Sequence, residues 1–150
     1  MVSSIASQRI VNTLVPINAN NTAEGTGLAV DVDGFSEVLM IANVGVSGDT
    51  LSGSVYWTIS FQECAVTTAG SFTQVAAAAI EGGSPVWVIN DPAEDQTLVV
   101  RRYKGKLKYV RILFTQTGTH TVGTPLSATI VMSGATHIPV TQETELGAAT

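Results

Sequence analysis

The chain of 150 residues has one cysteine, few aromatic residues and few charges. The single thiol, Cys64, excludes an internal disulfide, and nothing in the sequence signals an oxidising compartment. Charged residues are 13% of the chain, about half the usual ~25%. With 45% hydrophobic residues beside them, this excludes both a disordered polyelectrolyte and a charge-rich coiled coil. Sparse charge also leaves surface that another protein can cover. Long apolar runs are missing. The longest, residues 75–80, is far short of the ~20 residues that span a bilayer, so no membrane partner is expected. The opening MVSSIASQRIVNTLVPI has neither a basic start nor an apolar h-region, which predicts a soluble chain, intracellular when made.

What is present is β-type pattern on a length that makes about one domain. Residues 54–62 alternate strictly: Val55, Trp57, Ile59 and Phe61 fall on one face, and Ser54, Tyr56, Thr58, Ser60 and Gln62 on the other. A half-buried strand needs that period of two. Residues 35–42 are apolar on both parities and predict a central strand. Residues 85–90, 97–103 and 107–115 are rich in β-branched and aromatic residues, and Leu126, Ala128, Ile130 and Met132 alternate in a last strand. Turn signals at 45–53, 67–71, 81–85, 90–95, 104–105 and 117–125 separate the runs. The spacing predicts an all-β fold, a single antiparallel sandwich or barrel. Only residues 72–80 (FTQVAAAAI) invite a helix, and their apolar stripe is incomplete, so a strand followed by an irregular stretch is expected. The ends differ from the middle. The expected division is an N-terminal arm over 1–26, a β domain over 27–139 and a C-terminal tail over 140–150.

The usual chemistries are not written in the sequence. There is no G-x-S-x-G, H-E-x-x-H, C-x-x-C or G-x-x-x-x-G-K. Cys64 needs an adjacent histidine to act as a nucleophile and reads as a small buried residue. His120 and His137 lie far from any Cys or acid cluster, a poor start for zinc. Counting from Asp31, the EF-hand positions for Gly and Glu hold Ser36 and Ala42, so residues 31–34 (DVDG) read as a turn. Asp91, Glu94 and Asp95 read as a solvated acidic loop. No enzyme activity, metal or cofactor is expected. The aromatics Trp57, Trp87, Tyr56, Tyr103 and Tyr109 suit a sugar-binding face in principle. Both tryptophans read as core anchors, Trp57 by its face, while Tyr56 and Tyr103 remain candidate surface contacts.

Basic charge is the one uneven quantity. Six of the seven Lys and Arg residues, Arg101, Arg102, Lys104, Lys106, Lys108 and Arg111, fall in an eleven-residue stretch without an acid. The rest of the chain sets one base, Arg9, against twelve acids, a net of −11. Such a stretch fits a solvated strand edge, in which Lys resists chance pairing. It also fits a docking edge that meets acidic surface on a neighbour, or a nucleic-acid groove with Tyr103 and Tyr109 as stacking platforms.

Three blocks carry a family likeness. They are VLMIANVG followed by SGDTLSGSVYWTISFQE, then TAGSFTQVAAAAI, then residues 103–139 with Tyr103-Lys104-Gly105, Lys108-Tyr109-Val110-Arg111 and TQTGTHTVGTPLSATIVMSGATHIPV. Over residues 38–140 the chain resembles the capsid decoration, or cement, proteins of tailed bacteriophages. It departs from them at Cys64-Ala65-Val66, where acids are common in the family, and at Lys108, where Arg is common. The resemblance implies a jelly-roll-like β-sandwich on the outside of an icosahedral shell, made in the host cytoplasm. It also implies a major capsid protein and further copies of itself as partners, with neither nucleic acid nor a membrane bound. The candidate partner-binding residues are then Arg101, Arg102, Lys104, Lys106, Lys108, Arg111 and Arg9. A sugar-binding module on the virion and a head–tail connector or tail protein are the alternatives.

Overall fold

The computed structural model describes residues 7–67 and 71–137. Ten strands run in chain order: β1 (Arg9–Ala19), β2 (Val30–Asp31), β3 (Phe35–Val44), β4 (Tyr56–Cys64), β5 (Thr73–Gln74), β6 (Ile80–Glu81), β7 (Val86–Ile89), β8 (Leu98–Tyr103), β9 (Tyr109–Thr117) and β10 (Thr124–Ala135). They form two sheets in the orders β1-β10-β3-β8-β6 and β2-β9-β4-β5, and β7 also pairs with β4. All of these pairings are antiparallel. The two sheets pack into an all-β sandwich, as the strand spacing predicts.

The core follows from the alternation. β4 turns Trp57, Ile59 and Phe61 inward, and β9 turns Val110, Ile112 and Phe114 against them in the same sheet. Facing them are Val38, Met40, Ala42 and Val44 of β3 and Leu126, Ala128, Ile130 and Met132 of β10. Each large side chain buried here stabilises the fold by roughly 1.5–3 kcal/mol. Residues 72–80 give the short strands β5 and β6 joined by irregular backbone and one 3-10 turn at Ala77–Ala79. Cys64 is buried.

Two expectations need correction here. Residues 9–19 are not an arm but β1, paired along its length with β10, with register shifts around Leu14. Val11, Thr13 and Ala19 point inward while Ile10, Val15 and Ile17 lie exposed, and the shifts and Pro16 break the period that reveals a strand. The link from β1 to β2 crosses to the other sheet through two glycines: Gly27 donates to the Ile112 carbonyl (2.9 Å) and Phe114 donates to the Gly25 carbonyl (2.9 Å). A Cβ on Gly27 would lie 2.5 Å from the Ile112 oxygen, so the close approach requires glycine. Trp87 is the second correction. It shares a register position with Ile59, but β7 is at the sheet margin, and the indole is 40% exposed rather than a core anchor. Residues 140–150, expected as a tail, lie outside the described residues.

Candidate docking surfaces

Strand parity splits the basic stretch. Arg101 and Arg102 are neighbours in β8, so they point to opposite faces. Arg101 turns inward and is 6% exposed. Its Nε donates to the Ser84 carbonyl (2.8 Å), its Nη1 to the Val100 carbonyl (2.9 Å), and its guanidinium lies 5.8 Å from the Trp87 ring centroid. Burial lowers its pKa. Arg101 therefore closes the margin of the sandwich and is not a surface contact. Arg102 points out and grips Glu37 through two bonds of 2.6 Å, while its Nη1 reaches Glu81 at 2.9 Å. Lys104 reaches the other Glu81 oxygen at 2.7 Å. Hydrogen bonds from Lys104 and Arg102 lower the Glu81 pKa, and Glu37 raises that of Arg102. Lys108 stands 3.3 Å from Asp31 and over the Tyr109 ring. These pairs are 40–46% exposed, where an ion pair contributes about 0–1 kcal/mol. Arg111 donates to Gln62 and stacks on Phe72 at 4.3 Å. Arg9 opens β1 opposite Met132. Lys106 is exposed and forms no ion pair among the described residues.

Of the two candidate surface tyrosines, Tyr56 is half-buried on the outward face of β4. Tyr103 is 5% exposed, which corrects its expected role. Its hydroxyl donates to Glu63 at 2.6 Å and accepts the Leu107 amide at 3.0 Å. Burial, then the Glu63 carboxylate, raise its pKa. The loop after β8 folds over that ring: a Cβ on Gly105 would lie 2.3 Å from its atoms. Between this loop and the β2–β3 turn opens a cleft of about 470 Å³, rimmed by Asp33, Gly34 and Ser36 on one side and Lys104, Lys106 and Lys108 on the other.

The outward face of the first sheet departs from ordinary antiparallel pattern. One registered row reads Ile10, Val131, Leu39, Arg102, Glu81 from β1 to β6. The next reads Asn12, Thr129, Ile41, Val100 and the third ends in Leu98. An apolar band therefore runs diagonally from Ile10 (56% exposed) through Leu39 and Val100 to Leu98 (61% exposed). The outward face of the second sheet is more mixed: Thr58, Ser60, Gln62, Arg111 and Thr115 share it with Leu113, Val86 and Val88. A sheet facing water carries polar residues outward. The first sheet interrupts its polar residues, among them Asn12, Thr129 and Asn43, with this apolar band.

At the far end of the sandwich a polar clamp joins the β3–β4 and β9–β10 loops. One Asp49 oxygen accepts from the Thr121 amide (2.9 Å), the Thr121 hydroxyl (3.0 Å) and the Val122 amide (3.0 Å). The other accepts from the Gly123 amide (2.8 Å). Burial works to raise the Asp49 pKa, but these donors outweigh it and hold it at about 2. His120 is buried beside this group. Its ring lies 4.8 Å from that of Trp57, whose Nε1 donates to Thr124. Cys64 instead bonds with Val66 and Ser71, so it shares no partner with His120. Asp91, Glu94 and Asp95 accept backbone amides of Ala93, Asn90 and Ser47. Asp31 accepts the Asp33 amide in the expected turn. Among the described residues no group of three His, Cys, Asp or Glu is placed to hold a metal, and no helix is long and apolar enough to cross a membrane.

Comparison of the chain with protein-family models, with curated proteins and with solved structures returned no match.

Proposed function

We propose that this protein is a virion structural protein, a capsid decoration protein that lies on the outer surface of a shell of major capsid protein and stabilises it without chemistry of its own. The observation that carries this reading is the apolar band across the outward face of the first sheet. Four strands at ~4.8 Å and five residues at ~3.4 Å give that face a footprint of roughly 320 Å². A stable pairwise complex buries about 800 Å² per partner. One such contact is therefore weak alone and suits a lattice, where many copies act together. The resemblance of residues 38–140 to decoration proteins supports the same role, and the exposed ion pairs of Arg102, Lys104 and Lys108 are weak enough to exchange their acids for those of a shell surface. Burial of Tyr103 removes part of the aromatic platform that a sugar-binding module requires.

The test is occupancy on purified shells. Leu39→Glu with Val100→Glu places two acids in the band at half-exposed positions, where the fold tolerates them. Occupancy is expected to fall at least tenfold. In parallel, Arg102, Lys104 and Lys106 are replaced by Ser, leaving the buried Arg101 in place, and occupancy is followed across a salt series. Full occupancy by the Leu39/Val100 variant rejects the apolar contact, and a flat salt response rejects the electrostatic one.

A further inference from the structure

The cleft beside the basic loop lies next to the point at which the described residues end. Thr136 donates its amide to the Gly34 carbonyl at 2.8 Å, and Gly34 is on the rim of the cleft. The chain thus leaves the described structure, at His137, at the cleft's mouth. Residues 138–150 carry Glu143 and Glu145 and no Lys or Arg. The cleft lining carries Arg102, Lys104, Lys106 and Lys108 against one acid, Asp33, and the acids Glu37, Glu81 and Asp31 that pair with three of these cations lie outside it. We infer that this cleft is the docking site, within one molecule, of the chain's own residues 141–146 (TQETEL).

Reach and spacing both fit. Six residues from His137 to Glu143 span at most ~20 Å when extended, enough to cross from the 33–36 turn to the 104–108 loop. Glu143 and Glu145 are two residues apart, so an extended segment presents both on one side. Lys104, Lys106 and Lys108 all line the cleft, so either carboxylate has more than one cation to meet. Among the described residues Lys106 has no ion pair to give up, and the exposed pairs of Lys104 and Lys108 contribute so little that exchanging partners costs about 1 kcal/mol or less each. A short tether raises the effective concentration of the segment to the millimolar range, so even a weak site is filled. Resting on the decoration reading, the segment covers the cations in the free protein, and acidic shell surface must displace it.

The experiment is paramagnetic relaxation in the full chain. A nitroxide is attached at Ala148→Cys in a Cys64→Ala background, and the amide signals of Gly34, Gly105 and Lys106 are compared with the reduced-label control. At low salt these signals are expected to lose more than about half their intensity. They recover in 0.5 M NaCl, where screening shortens to a few ångströms, and in the Glu143→Gln/Glu145→Gln variant. Loss that is absent, or equal in the double variant, overturns the inference, since a segment that is merely tethered nearby is indifferent to its two charges. Loss that appears when labelled, isotope-free chain is mixed with unlabelled isotopic chain puts the segment on a second copy and overturns docking within one molecule. Shell occupancy of the double variant separates this from the decoration reading: a severalfold rise joins the two. Unchanged occupancy beside a positive relaxation result leaves the docking standing and removes the shell from the cleft.

Discussion

Replacing Asp49 by Asn tests whether the loop clamp holds the far end of the sandwich. The carboxylate accepts four hydrogen bonds, three from consecutive amides, and Asn keeps only one acceptor oxygen while turning an NH2 toward one of those donors. The pKa falls from an ordinary 3.8 to about 2. At ~1.36 kcal/mol per unit that gap is worth up to ~2.4 kcal/mol. The side chain keeps 9% of its surface in water at the rim, so about 1–2 kcal/mol is the working figure. The sign follows from the depressed value. Stability from the ionised clamp is complete above pH ~3.8 and drains away as pH falls through ~2, when the native carboxylate finally takes a proton. Urea titrations followed by tryptophan fluorescence are expected to place the variant about 1–2 kcal/mol below wild type at pH 7. The corresponding drop in Tm is about 2–8 °C. Near pH 2 most of the difference should vanish. A difference that stays constant from pH 7 to pH 2, or widens toward acid, refutes the reasoning, because it would then not arise from the charge.

Three further outcomes follow from buried contacts. Arg101→Met keeps the apolar stem but leaves the Ser84 and Val100 carbonyls without their charged donor, and chemical denaturation should show a loss of about 2–4 kcal/mol. Tyr103→Phe removes the hydroxyl between Glu63 and the Leu107 amide and should lower stability by about 1–3 kcal/mol in the same measurement, with amide exchange at Leu107 accelerated. Gly27→Ala pushes a methyl against the Ile112 carbonyl and should cost about 1–3 kcal/mol by calorimetry, whereas Gly53→Ala, with open space around it, should be neutral within ~0.5 kcal/mol.

Strands β4, β9 and β10 were legible because each buries one face, and burial writes a period of two into the sequence. β1 was not, because its exposed residues are as apolar as its buried ones and the register shifts around Leu14 break the period. The basic stretch was legible as composition but not as geometry. Nothing local to residues 101–111 says that β3 brings Glu37, and β6 brings Glu81, beside Arg102, since sheet register is set across the chain. The opposite fates of Arg101 and Arg102 follow from parity alone, once β8 is known to have one face in the core. Tyr103 and Trp87 exchanged their expected places for a related reason: position in the sheet, central or marginal, decides exposure, and sequence pattern reports only the face. The Asp49 clamp left no signal, as its partners lie more than 70 positions along the chain.

The place of β10 sets a timetable for folding. The last described strand is inserted between β1 and β3, so Arg9 meets Met132 and Met40 meets Ile130 only after every other strand of the described sandwich has been made. At ~5–20 residues per second a ribosome needs several seconds or more to reach that strand. Through that interval the inward residues of β3 lack a neighbour on one side, and closure across so long a loop is slow. The nascent protein therefore passes through a sticky stage whose length is fixed by translation, and slowing the ribosome between the codons of β3 and those of β10 should raise the share of chain recovered in inclusion bodies.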